Sequence, residues 1–135
     1  MDATINGRFN SNSLEKQTSH LDYICVFSVV PDVLLGLEHS KFTNFDVIMM
    51  KECPLMGHVS FFRALRSMGE TAPGVAIIGN DEEFDITLLH DGALGIVSVL
   101  QDPFSAEELS MTIDEALSWK PTTNNADGED SYSSL

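Results

Sequence analysis

A three-layer α/β/α domain built on a parallel sheet is what this sequence predicts, on three observations. Short apolar runs alternate with helix-forming segments four times between residues 22 and 119. The runs lack the polar alternation of a half-exposed strand, as suits strands covered on both faces. The intervening segments carry their own start and stop signals, and alternation of this kind implies βα units with right-handed crossovers.

The strand candidates are residues 23–29, 45–50, 75–78 and 96–100. After the first, Pro31 and Asp32 open a helix that continues through Val33, Leu34 and Leu37. The second helix places Val59, Phe62 and Leu65 at three-residue spacing and stops at Gly69. A third is expected from Asp81 as N-cap, with Glu82 and Glu83 in its first turn, Phe84 and Leu88 one turn apart, and Gly92 as a stop. The fourth follows Pro103: Ser105 and Glu108 have the spacing of a capping box, and Leu109, Ile113 and Leu117 define one apolar face.

Flanking segments differ in composition. Residues 1–21 are polar, with little periodicity, and are expected to be disordered; residues 22–119 form the folded domain; residues 120–135 are expected to be a disordered acidic tail. A length of 135 residues suits one domain. The start of the chain has no apolar signal-like region, and no run is long enough to span a bilayer, so a cytosolic or nuclear protein without membrane contact is expected. Twenty-one acids against seven bases give a net charge of −14, which argues against direct contact with nucleic-acid phosphates and leaves a protein partner as the expectation. Cys25 and Cys53 sit in apolar surroundings without a CxxC pair and read as buried thiols, not as metal ligands.

From Tyr23 to Leu117 three segments together resemble the receiver (CheY-like) domain of response regulators. YICVFSVVPDVLLGLEHSKFTNFDVIMM resembles that family's second strand, second helix and third strand, with a spacing similar to plant type-B response regulators and pseudo-response regulators. CPLMG, at Cys53 to Gly57, is similar to the Met-Pro-x-Met turn after the phosphorylated strand, and GALGIVSVLQDPFSAEEL, from Gly92 to Leu109, to the Gly-Ala, strand, Lys-Pro, Glu-Glu-Leu ending. The implied fold is the flavodoxin/CheY-like sheet, entered at its second strand, with the first strand and first helix missing. A receiver's first strand lies at the centre of the sheet, so three outcomes stay open. The second and third strands pair directly, residues 3–9 act as a poor substitute despite Asn6 and Gly7, or another chain supplies the strand.

The resemblance also implies a chemistry that these residues lack. A receiver takes a phosphoryl group on an Asp at the end of its third strand, beside Mg²⁺ held by an acidic pair after its first strand. A Ser or Thr after the fourth strand and a Lys after the fifth contact the phosphoryl oxygens. In register, the phosphoacceptor position falls on Lys51; Glu52, one residue on, is a longer and poorer acceptor. The switch positions fall on Ile78 or Gly79, and on Asp102 or Val99 depending on the anchor chosen. Neither an acidic pair nor a cofactor site is placed. Two readings of Lys51 remain: an ion pair with Asp102 that locks one conformation, or a lysine in solvent at a strand's end.

The expected function is therefore a non-catalytic, pseudo-receiver role in phosphorelay signal transduction, with the cytokinin pathway and a nuclear location implied by the resemblance alone. Its partners would be a response regulator, a phosphotransfer protein or a second copy, with Leu109, Ile113 and Leu117 as a possible interaction surface. The alternative is a degenerate, truncated product with no independent function. An enzyme is not expected: no Gly-rich phosphate loop follows any strand, and Gly57–His58 and His90–Asp91 place single histidines where structural or solvated roles are usual.

Overall fold

Val47, Ile48, Met49 and Met50 are all fully buried, as a strand covered on both faces requires. In the computed structural model, which describes residues 1–119, they belong to a five-stranded parallel sheet. Its strands are β1 (Asp2–Asn6), β2 (Val26–Val30), β3 (Val47–Lys51), β4 (Gly74–Ile78) and β5 (Ile96–Gln101), in the order β2-β1-β3-β4-β5. Four α-helices and a 3₁₀ turn (Ile86–Leu88) complete the described elements, the helices being α1 (Ser11–Gln17), α2 (Val33–Phe42), α3 (His58–Ser67) and α4 (Ala106–Ser118). The expected tail at 120–135 lies outside the described residues.

Successive side chains of each strand serve opposite faces. Ala3, Ile5, Val47, Met49, Val75, Ile77 and Val97 meet Leu14 of α1 and Leu109, Ile113 and Ala116 of α4. Ile48, Met50, Ala76 and Ile96 meet Val33 of α2 and Phe61, Phe62 and Leu65 of α3. The α/β/α class expected from the sequence is the one observed.

Two expectations are corrected. The first strand and first helix are not missing, and residues 1–21 are not a disordered segment: they hold β1 and α1. β1 pairs in parallel with β2, from Asp2 opposite Val26 to Asn6 opposite Val30, and with β3, from Ala3 opposite Val47 to Asn6 opposite Met50. Ladders on both sides stabilise a segment whose own apolar content is small. Its buried polar side chains bond to neighbouring strands: Thr4 Oγ1 donates to the Ser28 carbonyl and Asn6 Nδ2 to the Met49 carbonyl, each at 3.2 Å. Asn10 caps α1, accepting from the Ser13 N–H at 3.0 Å.

The third expected helix reduces to a single 3₁₀ turn, Ile86–Leu88. Asp81 does not cap it. Asp85 does, accepting from the Thr87 N–H at 3.0 Å and from its hydroxyl at 2.6 Å, which also holds its carboxyl below the usual range. Such local bonds compete with helix formation, and β-branched Ile86 and Thr87 favour it weakly. The remaining helices start and stop where expected: Asp32 caps α2, Gly69 (φ +87°) follows the end of α3, and Ser105 with Glu108 forms the capping box of α4.

Candidate functional site: a charged cleft at the strand ends

The parallel strands all end on one side of the sheet. There the chain leaves β1 and β3 in different directions, the place where doubly wound sheets open a crevice. A cleft of about 240 Å³ lies there, lined by Gly7, Arg8, Pro31, Lys51, Glu52 and Cys53 among others. Lys51 is the last residue of β3 and Asp102 the first after β5. Lys51 Nζ stands 2.7 Å from Asp102 Oδ2, with both side chains about one-third exposed (34% and 31%). Asp102 is held in place by its own N–H, which donates to the Ile78 carbonyl at 2.8 Å. Val99, the other position considered, lies within β5 and away from the strand's end.

Gly79 follows β4 and offers no hydroxyl; its N–H donates to the Glu82 carboxylate. Glu52, at the edge of the cleft, is engaged by His58. Its Oε2 accepts from the His58 N–H at 3.1 Å, at the N-terminus of α3, and lies 3.2 Å from His58 Nδ1. His58 is buried, and its Nε2 is 3.0 Å from the carbonyl oxygens of both Met50 and Ile77. Carbonyls only accept, so Nε2 carries the hydrogen and ties β3 to β4. The CPLM segment closes on itself: the Cys53 N–H donates to the Met56 carbonyl at 3.3 Å and the Met56 N–H to the Cys53 carbonyl at 3.1 Å.

The residues present do not fit a divalent cation held as in a receiver. Beyond β1 come Gly7 and Arg8, not an acidic pair, and Asn6 at its end is fully buried with its amide on Met49. Lys51 brings a second cation to the same cleft. Among the described residues no three His, Cys, Asp or Glu side chains converge.

Sequence reasoning named Lys51, Gly79 and Asp102, and all three stand at strand ends on this side of the sheet. It missed Arg8 and the Glu52–His58 contact. A signal for the former was present in the two-residue period of Ala3 and Ile5 against Thr4 and Asn6, which marks a strand leading to Arg8. The surface proposed on the last helix is corrected: Leu109 and Ile113 are fully buried against the sheet, and only Leu117 is partly exposed (38%). The apolar stripe of α4 is used by the core, and its outer face carries Glu107, Glu108, Asp114 and Glu115. Cys25 is buried, which pushes its thiol up, and Cys53 is half-buried; both are free.

No protein-family model matches the chain, and no curated protein is similar to it in sequence. Solved structures are similar in fold. The response regulator domain of Thermotoga maritima CheB matches with a TM-score of 0.68 at 19% identity, over 90% of this chain and 98% of that one. The receiver domain of the sensor histidine kinase PA1611 from Pseudomonas aeruginosa, solved with a magnesium ion in its active site cleft, matches at 0.65 and 19%, over 86% and 96%. The chemotaxis response regulator CheY4 of Vibrio cholerae matches at 0.63 and 23%, over 86% and 97%. At these identities the likeness is one of fold, and that fold is the receiver (CheY-like) sheet.

Proposed function

We propose that this chain is a signalling module of the response-regulator kind that acts by protein contact and does not accept a phosphoryl group. The observation that carries the reading is the ion pair across the cleft. Where the resemblance implies an Asp after the third strand and a Lys after the fifth, the chain has Lys51 and Asp102, in contact at 2.7 Å. The pair keeps its attraction with the charges exchanged. An ammonium is no acceptor for phosphoryl transfer of this type, and Arg8 and Lys51 together repel the metal that such transfer uses. In this reading the pair holds β3 and β5 in one arrangement, and Gly79, lacking a hydroxyl, has no part in a switch.

The finer assignments rest on the sequence resemblance: kinship with plant type-B and pseudo-response regulators, a place in cytokinin-type phosphorelay signalling, and the nucleus as location. No helix among the described residues is long and apolar enough to cross a membrane. Against an inert, truncated product stands β1, whose ladders to both neighbours leave no gap between β2 and β3.

Incubation of the purified chain with acetyl phosphate and Mg²⁺, followed by intact mass measurement, tests the reading. No added phosphoryl mass is expected, with Lys51→Asp equally unreactive because the acidic pair after β1 is also lacking. A phosphoryl adduct on the unaltered, folded chain overturns the proposal.

A further inference from the structure

Asn6 is the only asparagine in the sequence that glycine follows. The pair has a chemistry of its own. The backbone nitrogen of the following residue attacks the asparagine side-chain carbon, and glycine, with no Cβ, leaves that approach unhindered. In this chain the Gly7 nitrogen bonds to Asn6 Cγ, and its hydrogen departs with the side-chain nitrogen as ammonia. Water then opens the resulting five-membered imide at either carbonyl, giving aspartate or isoaspartate. Water is the only co-reactant.

The fold requires this glycine. Gly7 has φ +149°, which other residues rarely adopt, and a Cβ there would lie 2.7 Å from the Phe9 ring and 3.3 Å from Lys51 Cβ. The fold also holds the pair out of reach of reaction. β1 keeps Asn6 extended, opposite Val30 on one side and Met50 on the other, whereas ring closure swings the Gly7 nitrogen round toward Cγ. The Gly7 N–H donates to the Val30 carbonyl at 3.0 Å, which fixes the attacking nitrogen. Asn6 is fully buried, and its Nδ2, the leaving nitrogen, donates to the Met49 carbonyl at 3.2 Å. Helix α2 is seated on the same side chain at Gly36, where a Cβ would come within 1.8 Å of Asn6 Oδ1. Attacking atom, leaving atom and carbonyl oxygen are thus held by β2, β3 and α2 in turn.

The products do not fit the same place. Among the described residues Asn6 Oδ1 has no hydrogen-bond partner. A carboxylate here has one oxygen without a donor and the other facing the Met49 carbonyl, and a buried charge so placed is costly. Isoaspartate routes the backbone through the side chain, which lengthens the strand and breaks its register with β2 and β3.

We infer that Asn6–Gly7 is a spontaneous deamidation site that the sheet holds closed, and that reaction there, once β1 has left the sheet, makes the opening irreversible. The site lies outside the role in protein contact and sets a covalent limit on the lifetime of the opened chain.

Intact mass and peptide mapping of the full chain, kept in mildly alkaline buffer with and without urea, test it. In urea, Asn6 should gain the mass of amide hydrolysis before Asn12, which serine follows, and Gly7→Ala should slow that gain at least about tenfold. Without urea the gain at Asn6 should be at least about tenfold slower, since it waits on the opening of β1. Asn6→Asp should unfold at a lower urea midpoint than the parent chain or show no cooperative transition. A smaller difference between the two buffers overturns the inference, because the sheet then protects little. A urea sample in which Asn6 is no faster than Asn12 overturns it too, as does an Asn6→Asp chain as stable as its parent. None of these failures touches the acetyl phosphate result, so the two proposals fail separately.

Discussion

Lys51 and Asp102 were legible as a pair because no other lysine stands between Lys51 and Lys120, so the fifth-strand position had no basic candidate. Their contact needed the fold, since the residues lie 51 apart in the chain. With each side chain one-third exposed, the attraction is partly screened and is worth about 0.5–1 kcal/mol. A double-mutant cycle with Lys51→Met and Asp102→Asn, followed by urea unfolding, should return a coupling of that size that shrinks in 1 M salt. A coupling of zero would mean that the pair locks nothing. Burial tells a different story for Leu109 and Ile113. Their spacing identified a face, but a sequence does not say whether an apolar face meets the core or a partner. The assembled sheet settles it: Val47, Met49, Val75 and Val97, on three strands, need cover, and α4 supplies it.

Among the elements, those with strong end signals were the readable ones. The capping box of α4 and the Asp32 cap of α2 stand where the residues placed them. The third helix failed because Asp85 bonds to Thr87 two residues on and stabilises a tight turn in place of a longer helix. β1 failed for the opposite reason. Its stability comes from β2 and β3, and five residues with Thr4 and Asn6 among them carry little signal of their own. The seat of α2 on β1 offers a check on this element. Gly36→Ala drives a methyl into Asn6 Oδ1 and should cost about 1–3 kcal/mol. Asn6→Ala in the same chain removes the obstruction, so the double variant should be less destabilised than the sum of the two singles. Urea midpoints of the four proteins measure it, and strict additivity would show that α2 does not rest on Asn6.

Across the whole molecule, one sheet with two cores should unfold as a unit. Trp119 packs against the cluster that includes Ala3 and Ile5, so its fluorescence reports on the same core that β1 helps to build. Thr4→Pro removes a ladder N–H from an interior strand and should lower the urea midpoint by fluorescence and by circular dichroism together. A loss seen by one probe alone would mean that β1 is peripheral to the fold. The fold class was visible in the sequence because buried parallel strands are the most apolar runs a chain carries. The strand that joins β2 to the rest of the sheet was the hardest to see, being the least apolar of the five. That placement also orders events on the ribosome. β1 lies between its two ladder partners yet is synthesised before both, and its second ladder waits for a segment some 44 residues further along. Until that segment emerges β1 has only β2 to pair with, and its other edge is open to any free strand that can pair where β3 belongs.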